Sequence, residues 1–272
     1  MSGEDDLVQL IANIHSAQKY QAVDSKVIER IGQIELAKRK NLKEAIKTTR
    51  SKLHQVATSF FTSPMDFATW KDGLQHLTHD VSNPKLHEFC RRLMGTHSST
   101  DERLPILNEF YSTIFKDIAP IHSILDLACG LNPLAIPWMP IARDCAYYAS
   151  DILPEMMDFL KSFFDHIRQK GKAVVLDLTS EIPTQKVQVA LLLKTLPTLD
   201  QVDKHRARLL LDQIKAKYLV ISYPVHSLGG KSRGMVQNYD AHFRSLTTNW
   251  KGTIQRFELT TELVFLLTHS DQ

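Results

Sequence analysis

The sequence is poor in cysteine. Cys90, Cys129 and Cys145 are its only three, no two of them in a CxxC pair. Neither a disulfide framework nor a cysteine-rich zinc site is indicated, and a reducing compartment fits. Long apolar runs are missing as well: none approaches the ~18–20 residues needed to cross a bilayer, so a helical membrane protein is excluded. Met1-Ser2-Gly3-Glu4-Asp5-Asp6 is acidic where a secretory signal carries a basic segment, and the expected location is the cytoplasm. No GxGxxG, GxSxG or Walker loop occurs among the few glycines, which removes support for a dinucleotide fingerprint, a hydrolase nucleophile elbow and P-loop phosphoryl transfer. HExxH and zinc-finger spacings are absent too. His76, His79, His87 and Cys90 lie close in sequence but read as surface or core residues, and no metal is expected. A net charge of +3 is too small to imply a nucleic-acid partner; only its distribution carries information.

That distribution is uneven. From Leu7 to Leu93 the pattern is helical throughout, with breaks near Asp24-Ser25, Lys40-Asn41, Ser63-Pro64 and Asn83-Pro84. This defines an expected helical N-terminal domain over residues 1–93. Within it, Leu42, Ile46, Thr49, Leu53 and Val56 form one helical stripe, and Lys40, Lys43, Lys47 and Arg50 line another. Lys-rich helix faces are often merely solvated. The functional reading is contact with a phosphate backbone.

From residue 94 to 272 the pattern changes. After a helix around Arg103–Phe115, short apolar runs alternate with helical stretches, the mark of βαβ units. Expected strands are Ser123–Leu127, Ala146–Ser150, Ala173–Asp177, Val187–Leu193 and Tyr218–Ser222, with helices near Glu155–Arg168 and Val202–Lys215. Gly252–Glu258 and Glu262–Thr268 are separated by so few residues that they must pair as an antiparallel hairpin. The expected fold class is α/β, a Rossmann-like sheet of seven strands preceded by the helical domain.

The first strand ends in Asp126-Leu127-Ala128-Cys129-Gly130, a small-residue turn at the carboxyl end of a parallel strand, where open α/β sheets bind ligands. The next ends at Ser150-Asp151, and an acid at that tip suits the hydroxyls of a ribose. The third ends at Asp177-Leu178, an acid for an adenine amino group beside an apolar side chain for the ring. Each Asp alone reads as a turn residue or helix cap; three at matching positions point to an adenosine-containing ligand. Arg103, just ahead of the sheet, is the candidate for holding a ligand carboxylate in bidentate fashion.

His97–Leu104 (HSSTDERL), Ile124–Ala135 (ILDLACGLNPLA), Leu192–Leu199 (LLKTLPTL) and Ser222–Tyr239 (SYPVHSLGGKSRGMVQNY) carry a family resemblance. Lys52-Leu53-His54-Gln55 and Thr261-Glu262-Leu263-Val264-Phe265 extend it over nearly the whole chain. The sequence resembles the aminoglycoside-resistance 16S rRNA (guanine-N7) methyltransferases of the guanine-1405 type. The resemblance implies a seven-stranded methyltransferase domain that binds S-adenosylmethionine, a helical domain that docks on the assembled 30S subunit through its 16S rRNA, and a monomer with no membrane partner. It places Phe60, His97, Ser98, Ser99, Arg103, Ala128, Gly130, Asp151, Asp177, Leu178, Leu193 and Gln201 in the cofactor pocket. Lys194 and the loop containing Met235, Tyr239 and Phe243 are expected to face the target base. Lys231 and Arg233 of that loop join Lys40, Lys43, Lys47 and Arg50 as expected RNA contacts.

The sequence departs from the family where related loops read GMExNY: here Gly234-Met235-Val236-Gln237-Asn238-Tyr239 lacks the carboxylate. Methylation of another 16S rRNA atom and non-catalytic 30S binding remain alternatives. Guanine N7 has a lone pair and no proton, so no catalytic base is expected. The guanine is expected to flip out of its stack, with Tyr239 or Phe243 stacking on it.

Overall fold

The computed structural model describes residues 3–56, 60, 65–203, 205–225 and 234–269. The helices before the sheet are α1 (Gly3–His15), α2 (Ser25–Lys38), α3 (Leu42–Val56), α4 (Phe67–Gln75), α5 (Pro84–Met94), α6 (Ser98–Asp101) and α7 (Leu107–Ile114). Their ends follow from local chemistry. Glu4, Asp5 and Asp6, the acidic start of the chain, lie in the first turn of α1, where negative charge suits the helix dipole. Asp24 caps α2 by accepting from the Lys26 amide, Asn41 accepts from Glu44 at the start of α3, and Asn83 caps α5 with Pro84 in its first turn. Three of the four expected breaks are therefore caps; Ser63-Pro64 lies outside the described residues.

The sheet comprises β1 (Ile121–Leu127), β2 (Ile141–Asp151), then α8 (Pro154–His166), β3 (Gly171–Val175), β4 (Val187–Leu193), α9 (Leu196–Val202), α10 (Arg206–Gln213), β5 (Ala216–Pro224), α11 (Met235–Leu246), β6 (Gly252–Glu258) and β7 (Glu262–His269). Its order is β3-β2-β1-β4-β5-β7-β6. β1 to β5 run parallel, and β7 is antiparallel to both β5 and β6. The order in which strands are added reverses between the parallel neighbours β1 and β4, the switch point where such sheets open a crevice at their carboxyl ends.

Along β4, Val189, Leu191 and Leu193 join an apolar cluster on one face, while Ala190 and Leu192 join a second cluster on the other. A strand buried on both faces reads as a continuous apolar run. The first cluster also takes in Leu10, Ile14, Ile28 and Ile31 of α1 and α2. Trp70 of α4 packs edge-on against Phe159 of α8 at 5.4 Å, so the amino-terminal helices and one face of the sheet share a core.

Two expected elements shift. The third strand begins and ends two residues earlier than Ala173–Asp177, because Gly171 lies directly against the β2 backbone. It has φ +149°, and a Cβ there would fall 1.8 Å from the Tyr147 carbonyl oxygen. Asp177 lies beyond the ladder, whose last bond runs from the Leu176 amide to the Asp151 carbonyl at 3.0 Å. The expected helix Val202–Lys215 starts later, as α10 from Arg206, because Val202 is the last residue of α9 and Asp203 accepts the His205 amide between the two. No helix among the described residues is long and apolar enough to cross a membrane.

Candidate cofactor and target-base site

The β1 tip turns sharply: Ala128 has φ 49° and Gly130 φ 51°. A Cβ on Gly130 would sit 2.8 Å from the His97 ring, so glycine is required both by its backbone conformation and by the neighbour pressed against it. His97 stacks in turn on Phe60, with ring centroids 5.7 Å apart and planes 8° from parallel. Burial pushes the His97 pKa down to about 3, aided by Lys194 and Arg103, so its imidazole is neutral.

Asp151 accepts the Gly130 amide at 2.9 Å on Oδ2 and the Ile152 amide at 2.7 Å on Oδ1. Burial raises its pKa, and the two amides partly offset that rise. A carboxylate offers about four acceptor positions, so about two remain for a diol. Asp177 accepts the Thr179 amide at 2.9 Å and the Thr179 hydroxyl on Oδ1, and the Arg30 Nε at 2.7 Å on Oδ2.

These residues line one cleft open to solvent, the concave, largely apolar setting usual for small-molecule sites. Of the expected cofactor residues, Phe60, His97, Ser99, Ala128, Asp151, Asp177, Leu178 and Leu193 are on its wall. Gly130 lies behind it, as the amide donor to Asp151. Ser98 is turned aside, its hydroxyl donating to the Phe60 carbonyl at 3.1 Å. The side chain of Gln201 lies outside the described residues.

Arg103 departs from expectation. It is fully buried behind the cleft wall. Its Nε faces Glu262 Oε1 at 2.7 Å, and its terminal nitrogens donate to Glu262 Oε2 at 3.1 Å and to Asn132 Oδ1 at 2.8 Å. Its bidentate carboxylate is therefore an internal one. Two cations are on the wall: Arg30, paired with Asp177, and Lys194, at φ 59°, whose ammonium is bonded to the Ser99 carbonyl at 3.0 Å and Glu102 at 2.6 Å. Behind β1, Asn132 and Tyr147 both donate to Asp126, at 2.9 and 2.7 Å. Burial pushes the Asp126 pKa up to about 7 against those bonds.

Among the expected target-base residues, Phe243 is corrected. It is buried, stacked on Phe265 at 3.7 Å and 10°, and belongs to the core because it sits on the inward face of α11. Tyr239 is half-buried, with one face on Tyr223 at 4.9 Å. Met235 begins α11 after Gly234. None of the three lines the cleft. Lys231 and Arg233 lie outside the described residues. Of the basic stripe, Lys40, Lys43 and Lys47 are exposed, whereas half-buried Arg50 donates to the Asn13 carbonyl at 2.9 Å and ties α3 to the end of α1. His76, His79 and His87 bond to the carbonyls of Asp72, His166 and Val81. No metal-holding cluster occurs among the described residues.

Sequence reasoning missed the α2 contribution, Val27, Arg30 and Ile31, and the outer wall at Thr198 and Leu199. The last two lie inside the LLKTLPTL motif, which marked them without assigning them. Arg30 carried no local signal, since its partner is 147 positions away.

A seven-stranded sheet with this order, a reversed final strand and acids at its second and third tips defines the Rossmann-like class of S-adenosylmethionine-binding methyltransferases. The family profile described as ribosomal RNA methyltransferase (FmrO) matches residues 16–266, and the chain belongs to that family. A 16S rRNA (guanine(1405)-N(7))-methyltransferase of Micromonospora rosea is 34% identical over 98% of both chains. Another, from Micromonospora echinospora, is 33% identical over 97% of both. The structure of the 16S rRNA methyltransferase RmtF, in complex with S-adenosyl-L-homocysteine, superposes with a TM-score of 0.79 at 26% identity, covering 99% of this chain and 100% of that one.

Proposed function

We propose that this protein transfers a methyl group from S-adenosylmethionine to N7 of guanine 1405 in 16S rRNA within the 30S subunit, acting as a monomer and giving aminoglycoside resistance. The observation that carries the reading is the cleft: acceptor positions on Asp151 and Asp177, Leu178 and Leu193 for an aromatic ring, and a neutral His97. That set of acceptors and apolar side chains fits an adenosine joined to a sulfonium, since the two cations of the wall, Arg30 and Lys194, are each paired with an acid, Asp177 and Glu102.

When bound, the cofactor supplies an electrophilic methyl group. The chain's own residues bind, orient and exclude water. Asp151 is held by two amides, so its acceptor direction is set before any ligand arrives. Because N7 needs no deprotonation, alignment does the work, and positioning of this kind lowers barriers by ~7–11 kcal/mol. The helical segment, residues 1–93, is the proposed docking part, with Lys40, Lys43 and Lys47 against phosphates, joined by Lys231 and Arg233 of the loop before α11. Arg103 is assigned the methionine carboxylate only through N–H donors that Glu262 and Asn132 leave over.

The test is mass spectrometry of 16S rRNA digested after incubation of the protein with 30S subunits and S-adenosylmethionine. A 7-methylguanosine at position 1405 is expected. Methylation of another nucleotide, or 30S binding without transfer, overturns the proposal.

A further inference from the structure

The cleft has one wall that an isolated methyltransferase domain lacks. α2 is tied to the tips of both acid-bearing strands: the Asp24 amide donates to the Ile152 carbonyl at 3.1 Å, next to Asp151, and Arg30 reaches Asp177. Val27 and Ile31, on the same face of α2 as Arg30, line the cleft beside it. The Arg30 guanidinium engages Asp177 Oδ2 through Nε and the Thr179 hydroxyl through a terminal nitrogen, while Thr179 bonds Asp177 Oδ1 through its amide and hydroxyl. Both oxygens of the acid are thereby fixed. From the opposite side, Arg206 of α10 donates its Nε to the Leu178 carbonyl. The turn 177–179 is thus gripped by two arginines from elements far apart in sequence. The Arg30 and Asp177 side chains are 24% and 11% exposed, so the pair is screened less than an open surface bridge.

We propose that Arg30 is a positioning residue of the cofactor site: by holding Asp177 and Thr179 it fixes the adenine-reading turn and makes the helical segment part of the binding pocket. This rests on the cofactor reading above. Arg30 acts through Asp177, whose one remaining acceptor position on Oδ2 is aimed by the guanidinium bond beside it. Loss of Arg30 leaves Oδ2 free to swing about the Thr179-held Oδ1 and to hydrate, which weakens cofactor binding without altering the chemical step.

The experiment compares wild type with Arg30→Met, Arg30→Lys and Thr179→Val for S-adenosylhomocysteine affinity by calorimetry, and for KM and kcat with 30S subunits. Arg30→Met is expected to raise the KM for S-adenosylmethionine about tenfold with kcat within about twofold, the signature of lost uniform binding. Arg30→Lys recovers part of the loss. In an Asp177→Asn background the same change adds less than about twofold, since the two residues share one interaction. Wild-type KM in Arg30→Met, a fall in kcat alone, or full additivity with Asp177→Asn overturns the proposal. If Arg30→Met fails to fold, Thr179→Val decides: a smaller rise in KM supports it and an unchanged KM overturns it. A wild-type protein that binds no S-adenosylhomocysteine instead overturns the cofactor reading itself.

Discussion

Arg103 and Glu262 meet as a fully buried pair, Nε to Oε1 at 2.7 Å, joining the segment ahead of the sheet to the first residue of β7, the last strand in sequence. Burial disfavours the Arg103 cation, but the Glu262 charge outweighs it; burial likewise pushes Glu262 up, and Arg103 with Lys194 holds it below the usual range. Both are charged, each because of the other. Glu262→Ala strands a guanidinium in the interior, and denaturant melts are expected to show a loss of about 3–5 kcal/mol. Arg103→Met combined with Glu262→Leu restores most of that loss.

Gly130→Ala introduces a side chain at φ 51°, 2.8 Å from the His97 ring. Backbone strain alone costs about 1–2 kcal/mol, and His97 must leave its stack on Phe60. Calorimetry is expected to show weakened S-adenosylmethionine binding beyond what the melting temperature accounts for. Unchanged affinity removes His97 from the pocket.

Two buried groups make stability depend on pH in opposite senses. His97, with its pKa depressed from 6.5 to about 3, stays neutral in the fold while the unfolded chain takes up a proton. Its contribution is full above pH 6.5 and is lost as pH falls toward 3. Asp126, raised from 3.8 to about 7, keeps its proton in the fold. Its contribution is full below pH 3.8, is lost as pH rises to 7, and is level beyond. Melting temperatures against pH are expected to show His97→Gln flattening the acid limb and Asp126→Asn flattening the decline toward neutrality.

Phe243 and Tyr239 are separated by their burial. Phe243→Ala removes a ring stacked on Phe265 in the core and is expected to cost about 3–5 kcal/mol in denaturant melts. Tyr239→Ala, at a half-buried site, is expected to melt nearer to wild type and to slow methyl transfer to 30S subunits. A near-native transfer rate excludes Tyr239 from stacking on the target base.

The basic stripe divides in the same way. Lys43→Ala and Lys47→Ala are each expected to reduce the salt dependence of 30S binding by about one unit of slope. Arg50→Ala is expected to lower the melting temperature instead, because its guanidinium holds the Asn13 carbonyl. Equal salt slopes in wild type and the lysine variants exclude that face from the interface.

The run of strands and the closing hairpin were legible because both depend on neighbours in sequence. Apolar run length set Val187–Leu193, and the short gap before Glu262 dictated the final hairpin. Asp24, Asn41 and Asn83 announced helix starts, as a cap acts on amides two or three positions along. The Asp126–Gly130 turn and the acids at 151 and 177 followed from the same local logic. Periodicity could not tell which side chains on a helix meet the core and which meet a ligand. It therefore left Phe243 as a base-stacking candidate and Arg50 as a phosphate contact.

The amino-acid sequence by itself determined the α/β class, the cofactor-side acids and the family. Tertiary structure alone decided that Arg103 spends its bidentate face on Glu262, 159 positions away, and that Arg30 of the helical segment holds Asp177, 147 positions away. Such pairings depend on how α2 and β7 pack across the sheet. A charged side chain leaves water only where packing brings its counter-charge within hydrogen-bond reach, and no local pattern in the chain encodes that meeting.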